Sequence, residues 1–339
     1  MKVVTFGEIM LRLAPEGYLR FLQEPKFQAT FGGGEANVAV SLQQFGIDTS
    51  FVSKLPDNDI GYACIKTLNS FGVDTKNIAI GGERIGIYFL EKGASVRPSK
   101  VVYDRANSAI SGAKESDFDW DKIFTGVTHY HFTGITPALS DSMAAITLQS
   151  LIAAKKHGVT VSCDLNYRKK LWSRRKANEV MSSLVKYVDI LIANEEDAEM
   201  VFDIKPSGNN VEGGKLNKQG YEEVAKKLIE KYNFSTVACT LRESISANDN
   251  NWGAMLYTKG KAYYSKTYPL HIVDRVGGGD SFCGGLIYGI VNGKEPQDAV
   301  EFAVASSALK HTIEGDFNRV TVEEVEKLIS GGASGRVQR

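Results

Sequence analysis

The chain has 339 residues, and its 40 lysine and arginine residues balance 40 aspartate and glutamate residues, so the formal net charge is zero. Proteins that bind nucleic acid through its phosphate groups usually carry a basic excess, and the composition therefore argues against this class. A hydrophobic content of 43% and a charged content of 24% are ordinary for a globular protein and exclude a disordered or fibrous chain.

The first third of the chain predicts two helices and a separate group of strands. Helical patterns fill much of residues 34–45 and 57–71. Residues 10–31 and 83–104, on either side of these helices, contain strand-like pieces, and within each segment no helix separates them. We interpret the strand-like segments as a small β-sheet lid, discontinuous in sequence and able to cover a site.

From about residue 120 onward, short β-branched runs alternate with helical patterns. In chain order, the predicted elements are strand 127–132, helix 141–157, strand 159–164, strand 187–193, helix 218–231 and strand 235–241. This alternation is typical of a doubly wound, mostly parallel sheet with helices on both faces. The predicted fold class is therefore α/β, a large sheet flanked by helices with a small β-sheet lid.

Two polar stretches and the tail predict surface segments. Residues 205–220 and 242–251 are dense in Gly, Asn, Ser and Lys, which is typical of surface loops. Residues 331–339 are predicted to form a flexible tail. We expect residues 1–330 to form a single domain, with the lid as a part of it.

The sequence shows no sign of export or membrane insertion. The N-terminus runs directly into strand-like sequence, without the basic segment and apolar stretch of a secretory signal. The longest segment free of Asp, Glu, Lys and Arg, residues 123–140, is interrupted by two histidines and five Ser or Thr residues. We therefore expect a soluble, cytoplasmic protein that does not act on membranes.

Two familiar nucleotide-binding motifs are absent or incomplete. A Walker A loop requires Ser or Thr after its Gly-Lys pair, and the three Gly-Lys pairs of this chain are followed by Leu216, Ala262 and Glu295. Residues 32–34 are three glycines that superficially resemble a dinucleotide-binding loop, but Asn37 replaces the last glycine of that motif. A nicotinamide-dependent dehydrogenase is therefore a weak alternative.

Gly277, Gly278 and Gly279 form the stronger glycine cluster, because Asp280 and a long apolar helical pattern follow them directly. Backbone N–H groups at a helix start can surround an anion, and the helix dipole favours negative charge there. A carboxylate beside a phosphate site is repelled unless it has a chemical task, and in phosphoryl transfer it can accept the proton of the attacking hydroxyl. The other interpretation of Asp280 is an ordinary acidic residue in a first helical turn.

These residues resemble a known family. Asp274 with the run Gly277 to Asp280 resembles the C-terminal signature of the ribokinase-like carbohydrate kinases, and residues 33–39 resemble their N-terminal signature. Gly278 stands where the family usually has alanine, and the form Asp-Arg-Val-Gly-Gly-Gly-Asp resembles the 2-keto-3-deoxygluconate kinase branch. Three further segments point the same way and extend the resemblance over nearly the whole chain: residues 103–109, 164–168 and 310–318.

The resemblance implies a ribokinase-like fold and an ATP-dependent kinase for the 6-hydroxyl of 2-keto-3-deoxygluconate. Asp280 is then the general base, and Gly277, Gly278 and Gly279 form the anion hole. ATP, Mg²⁺ and the sugar acid are the implied ligands, and a monovalent cation stays open. Family members commonly pair through the lid, so a homo-oligomer, a dimer or larger, is expected.

The substrate residues implied by the resemblance include two arginines, which suit a sugar acid because a guanidinium offers a planar fork to a carboxylate. The full set is Gly34, Asn37, Tyr88, Tyr103, Arg105, Arg168 and Asp316. The arginines could instead form a strand-edge salt bridge or stay solvated, and the tyrosines could be packing residues. These other interpretations leave two alternatives open: a kinase for fructose or ribose, and a sugar-binding module without activity.

The nucleotide-binding residues implied by the resemblance lie in the second half of the chain. They are Asn166, Asn194, Thr240, Arg242 and Ser244. Asn194 opens an Asn-x-x-Asp element that resembles the family's Asn-x-x-Glu, and the shorter Asp197 is expected to act through water, so no metal ligand is assigned. Residues 240–242 follow a predicted strand where the family usually begins its nucleotide loop, although the familiar glycine is missing.

Overall fold

The computed structural model describes residues 1–194, 196–206 and 218–332. The strands in these ranges are β1 Lys2–Phe6, β2 Met10–Ala14, β3 Gln28–Gly32, β4 Asp48–Leu55, β5 Ile78–Ile80, β6 Gly86–Glu91, β7 Lys100–Asp104, β8 His129–Thr133, β9 Thr160–Asp164, β10 Ile190–Ala193, β11 Thr236–Ser244, β12 Asp249–Thr258, β13 Lys261–Tyr264 and β14 Tyr268–His271. The α-helices are α1 Gly34–Gln44, α2 Asp59–Ser70, α3 Trp120–Ile123, α4 Asp141–Lys156, α5 Arg174–Leu184, α6 Asp197–Phe202, α7 Lys218–Tyr232, α8 Gly278–Val291, α9 Pro296–Lys310 and α10 Val322–Ile329. Short 3₁₀ turns cover Glu115–Asp117, Thr136–Ala138 and Val185–Tyr187.

The large sheet of the described residues has ten strands in the order β13-β12-β11-β10-β9-β8-β1-β4-β5, with β14 also paired to β12. The strands from β11 to β5 in this order are parallel, and β12, β13 and β14 are attached by antiparallel pairing. Strand β1 pairs with β4 on one side and with β8 on the other. The direction in which successive strands are added to the sheet therefore reverses at β1. Ligands of doubly wound sheets bind at such a switch point, outside the carboxyl ends of the strands.

Helices cover both faces of the large sheet, as the nearly continuous apolar strands require. One core packs Met143 of α4, Met181 of α5 and Leu228 of α7 against one face. A second core packs α1, α8 and α9 against the other face, with Phe282 and Ala303 fully buried. The predicted α/β fold class, a mostly parallel sheet flanked by helices with a small lid, is confirmed.

Local capping explains several helix starts. The Asn58 side chain accepts hydrogen bonds from the first backbone N–H groups of α2, and the Ser140 hydroxyl caps α4 in the same way. Thr321 and Glu324 form a reciprocal capping box at α10. In contrast, α8 begins after a glycine and has no side-chain cap, which leaves its N-terminus available to an external anion.

The lid is a four-stranded sheet in the order β3-β2-β6-β7, and its strands come from two separate segments of the chain. Strands β2 and β6 pair in parallel, so that Met10 lies opposite Gly86 and Arg12 lies opposite Tyr88. Met10, Arg12 and Tyr88 are buried, whereas the alternate positions of both strands are partly exposed. The buried face therefore points toward the large sheet and the start of α8.

The loop predicted over residues 242–251 was wrong. Residues up to Ser244 continue β11, and β12 begins at Asp249, so the segment forms a β-hairpin whose strands pair from Thr236 to Ser244. Its polar side chains belong to the exposed end of a strand, and an exposed strand end has the same polar composition as a loop. Of the other predicted loop, residues 205–220, the end was wrong because residues 218–220 begin α7. Residues 207–217 of that loop and residues 333–339 of the tail lie outside the described residues. None of the described helices has the length and apolar character that crossing a membrane requires.

Candidate active site

The two glycine-rich signatures meet where α1 and α8 begin. The Asn37 side-chain Nδ2 donates a hydrogen bond of 2.7 Å to Asp280 Oδ2, although 243 residues separate the two positions. The Asn37 carbonyl Oδ1 accepts from the Gly33 backbone N–H at 3.2 Å, which fixes the orientation of the amide. A side chain at Gly34 would place its first carbon 3.6 Å from Asp280 Oδ1, so this glycine keeps space open beside the carboxylate.

The pKa of the Asp280 carboxyl group is raised well above that of an exposed aspartate. Burial raises its pKa to about 6, and repulsion from Asp316 acts in the same direction. The hydrogen bond from Asn37 and the charges of Arg168 and Lys310 oppose the increase. A carboxylate with this pKa is mostly ionised at pH 7 and is a stronger base than an exposed aspartate.

The glycine cluster at the start of α8 was predicted to form an anion hole. Gly277 has a φ angle of 80°, in the left-handed region, and a side chain there would place its first carbon 2.0 Å from the Asp316 carbonyl oxygen. The backbone N–H of Gly278 is engaged with the Arg275 carbonyl oxygen at 3.3 Å. In the described ranges no acceptor is found for the N–H groups of Gly277, Gly279 and Asp280. These three donors are therefore free to bind an anion.

Asp316 and Tyr88, two predicted substrate residues, contact each other instead of an open cavity. The Tyr88 hydroxyl donates to Asp316 Oδ2 at 2.5 Å, and the other carboxylate oxygen accepts from Arg12 at 2.7 Å. Arg12 also contacts Asp274 at 2.5 Å, and all these side chains are buried. No local pattern singles out Arg12, because its partners lie more than 250 residues away in sequence.

Arg105 follows the last lid strand and lies between the lid and the large sheet. Its guanidinium pairs with Glu8, which also accepts a hydrogen bond of 2.7 Å from the Ser108 hydroxyl. The guanidinium lies 5.4 Å from the ring centre of Tyr103, the other predicted lid tyrosine. The Arg105 Nε is buried and has no hydrogen-bond partner among the described residues. The predicted salt bridge therefore exists, and it leaves one guanidinium donor unused.

A cleft of about 1420 Å³ separates the lid from the loop after β9. Tyr103 and Arg105 line one side, and Arg168 lines the other side. The cleft is rich in positive charge because Lys169, Lys170 and Arg174 also line it. Asp280 and the anion hole do not line this cleft, although Arg168 is close enough to lower the pKa of Asp280. Arg168 therefore connects the basic cleft to the candidate base.

Asn166, Asn194 and Asp197 lie at the carboxyl ends of β9 and β10. Asn194 Oδ1 accepts from the Asp197 N–H at 3.0 Å, and Asp197 Oδ2 accepts from the Asn194 N–H at 3.1 Å. The other oxygen of Asp197 accepts from the Tyr167 N–H at 3.1 Å, which ties the two strand ends together. Asp197 is buried, although it lies in the first turn of a short helix. The Asn166 side chain faces Asp164 at 3.3 Å.

Thr240, Arg242 and Ser244 lie on β11 and not in a loop that follows it, which corrects the predicted position. Arg242 is close enough to Arg275 and His311 to lower the pKa of both, in addition to the effect of burial. The His311 ring lies against Gly278, where an added side-chain carbon would approach it to 2.4 Å. Arg242 is therefore near the glycine cluster, together with Arg275, which was not among the predicted site residues.

A mostly parallel α/β sheet with a lid, and an aspartate in the first turn of a glycine-rich helix start, are features of the ribokinase-like class of carbohydrate kinases. The sequence pattern described as "pfkB family carbohydrate kinase" matches residues 1–319. The chain therefore belongs to the pfkB family of carbohydrate kinases. The dehydrogenase alternative is excluded by this membership.

Within the family, the chain is similar to several kinases of known sequence or structure. The chain is 55% identical to 2-dehydro-3-deoxygluconokinase from Thermotoga maritima, with a TM-score of 0.94 and coverage of 98% of both chains. It is 32% identical to 2-dehydro-3-deoxygalactonokinase from Haloferax volcanii over 98% of both chains. A protein from Escherichia coli provisionally identified as ribokinase II, solved with ATP and Mg²⁺, shares the fold at 21% identity, with a TM-score of 0.80 and coverage of 97% and 99%.

Proposed function

We propose that the protein transfers the γ-phosphoryl group of ATP to the 6-hydroxyl of 2-keto-3-deoxygluconate, the compound also called 2-dehydro-3-deoxygluconate. The observation that carries the proposal is the pairing of Asn37 with Asp280 beside three free backbone donors, with a basic cleft under the lid. The 55% identity to the Thermotoga maritima kinase supports this choice of acceptor.

Asp280 is the proposed general base. Asn37 holds Oδ2, so Oδ1 is the oxygen left to accept the proton of the acceptor hydroxyl. As the hydroxyl loses its proton, the oxygen becomes a nucleophile toward the γ-phosphorus, and the bond from that phosphorus to the ADP oxygen breaks. The free N–H groups of Gly277, Gly279 and Asp280 donate to the phosphoryl oxygens, where negative charge develops.

Arg105 and Arg168 are proposed to bind the carboxylate end of the acceptor. The unused Nε of Arg105 is a buried donor, and burying a donor without a partner costs free energy that a substrate oxygen can recover. Glu8 holds the guanidinium from behind, and Tyr103 packs against it, so the group is fixed before the substrate binds. A neutral sugar has no carboxylate to offer to Arg168 or to the unused Nε of Arg105.

Mg²⁺ is proposed to accompany ATP, and the residues at the ends of β9 and β10 fit such an ion. Burial raises the pKa of Asp164, and the nearby carboxylates of Asp197 and Asp280 raise it further. Kinases usually hold Mg²⁺ through one or two carboxylates, water and phosphate oxygens. Asp164 and Asp197 are the groups that would hold it, through water, and the bound ion would neutralise phosphate charge.

The outer face of the lid is proposed to pair two copies of the chain. Its partly exposed positions are apolar, although the buried positions between them face the site. These outward side chains are Leu13, Ala29, Ile87, Phe89 and Val102. An apolar sheet face of this kind is unfavourable in water unless a partner covers it. Sedimentation should therefore show a dimer or a larger oligomer, and a monomer at assay concentration would contradict the proposal.

A coupled ADP-release assay over four acceptors tests the proposed function. The panel is 2-keto-3-deoxygluconate, its C4 epimer 2-keto-3-deoxygalactonate, fructose and ribose. We expect the highest kcat/KM for one of the two sugar acids, and mass spectrometry of the product should place the phosphate on O6. Higher kcat/KM for the epimer would assign the galactonate branch. Equal kcat/KM for the neutral sugars would contradict the sugar-acid assignment.

A further inference from the structure

Arg12 on the inner face of the lid joins the two acidic residues that flank the anion hole. Its Nη1 donates to Asp316 at 2.7 Å, and its Nη2 donates to Asp274 at 2.5 Å. Arg12 is only 3% exposed, and both carboxylates are equally buried. Arg12 is not needed to contact either substrate in the proposed mechanism, so this buried ion network requires another explanation.

The two carboxylates order the backbone on both sides of Gly277. Asp274 accepts hydrogen bonds of 3.1 Å from the N–H groups of Val276 and Gly315, and so holds two separate chain segments together. The Asp316 carbonyl oxygen lies where a side chain of Gly277 would be, 2.0 Å from its first carbon. The position of the Gly277 N–H therefore depends on where Asp274 and Asp316 are held.

The lid contacts Asp316 from three of its strands. Arg12 of β2 and Tyr88 of β6 are direct partners in the sheet, and each binds one Asp316 oxygen. Gly32, at the end of β3, packs so closely that an added side-chain carbon would approach Asp316 Oδ2 to 2.0 Å. Any shift of the lid relative to the large sheet is thereby transmitted to Asp316, and from Asp316 to Gly277.

The chemistry of Arg12 suits a link of this kind. A guanidinium binds two acceptors through different nitrogens in a fixed plane, whereas a lysine ammonium is a point charge on a flexible chain. Two buried carboxylates would also repel each other without a shared cation. The guanidinium therefore fixes the distance between Asp274 and Asp316 as well as their charge.

We propose that Arg12 is a positioning residue for phosphoryl transfer, because it couples the lid over the acceptor to the anion hole that receives the ATP phosphate. Acceptor binding under the lid and nucleotide binding at Gly277 then strengthen each other. Such coupling is reciprocal, and typical values change an affinity by about 5- to 150-fold. The inference rests on the proposed function for the choice of acceptor and for the binding of the ATP phosphate at Gly277.

Replacing Arg12 by lysine tests the proposal, with R20K as the matched control. Arg20 is an arginine of the lid segment that also contacts a carboxylate, Glu91, at 3.4 Å, but its side chain is exposed. Among the ion pairs of the described residues, Arg20 pairs with neither Asp274 nor Asp316. For R12K we expect kcat to fall by about 10- to 100-fold, as misplaced catalytic groups typically cause. The affinity for the imido analogue of ATP should be raised by 2-keto-3-deoxygluconate in the wild type and R20K, and much less in R12K.

The outcomes separate positioning from simple stabilisation. If R12K lowers the melting temperature but keeps the kcat and the nucleotide coupling of the wild type, Arg12 only stabilises the fold and the inference is overturned. A wild type without coupling overturns it as well. If R12K does not fold, Y88F removes only the hydroxyl contact to Asp316, and a smaller loss of the same kind is expected. An inactive wild type with this acceptor contradicts the proposed function instead, and the comparison is then made with the panel sugar that is phosphorylated.

Discussion

Replacing Asn37 by leucine should shift the pH dependence of the reaction toward higher pH. The Asn37 amide donates a 2.7 Å hydrogen bond to Asp280, and this bond opposes the effect of burial on the pKa, which is about 6. A hydrogen bond to a charged group contributes about 1.5–3 kcal/mol, and one pKa unit corresponds to about 1.4 kcal/mol. Without the bond, the pKa of Asp280 should therefore rise by about 1–2 units.

The direction of the shift follows from the proposed role of Asp280 as the general base. Only the ionised carboxylate can accept the proton, so kcat/KM falls as the pH drops below the pKa. The wild type should lose activity below about pH 6, whereas N37L should lose activity below about pH 7–8. The loss from titration should disappear near pH 9, where both enzymes are ionised, and any remaining difference there reports lost substrate contacts.

The assay is a profile of kcat/KM against pH, measured by coupled ADP release with 2-keto-3-deoxygluconate. Ser41 offers a control, because its hydroxyl donates to the Asn37 carbonyl oxygen at 3.0 Å one turn further along α1 and does not contact Asp280. In S41A, kcat/KM should fall at the same acidic pH as in the wild type. If kcat/KM of N37L also falls at that pH, either Asp280 is not the titrating base or the hydrogen bond does not set its pKa.

Two further predictions concern the cleft and a buried carboxyl group. R105L should raise KM for 2-keto-3-deoxygluconate by about 10- to 100-fold, because the charged contact to the carboxylate is lost, whereas R97L, at another lid arginine paired with an acidic residue, should not. An unchanged KM in steady-state kinetics would favour a neutral acceptor. Burial raises the pKa of Glu35 from 4.5 to about 7, above its unfolded value, so its contribution to stability is full below pH 4.5 and is lost as the pH rises toward 7. E35Q should therefore increase the free energy of unfolding by about 3 kcal/mol at pH 8 and have little effect at pH 4, as measured by denaturant titration, and equal effects at both pH values would contradict the assignment.

The sequence contained enough information to predict the main architecture. Parallel strands that are buried on both faces produce apolar runs, and these runs alternate with helical patterns in the second half of the chain. The lid was also predictable, since within each of its two segments one strand follows the other without a helix between them. The extent of the domain, residues 1–330, stays a prediction. The hairpin of β11 and β12 was missed because its polar end has the composition of a loop.

The candidate site was only partly accessible from sequence. The glycine clusters and Asp280 carry a local signal, because a helix start rich in glycine is unusual and has a physical use. The buried ion pairs near the site carry no local signal of this kind. Arg12 pairs with Asp316 across 304 residues of sequence, and Arg105 pairs with Glu8 across 97. Such ion pairs arise from the packing of the lid against the large sheet, which no single segment specifies.

The most direct test of the central claim is the turnover of D280N. Asparagine keeps the size of the side chain but cannot accept the hydroxyl proton, so kcat should fall by about 10²–10⁴-fold. The affinity for the imido analogue of ATP, measured by calorimetry on the same preparation, should stay within a few-fold of the wild-type value because the free N–H groups at the start of α8 are retained. A kcat close to that of the wild type would show that Asp280 is not the base.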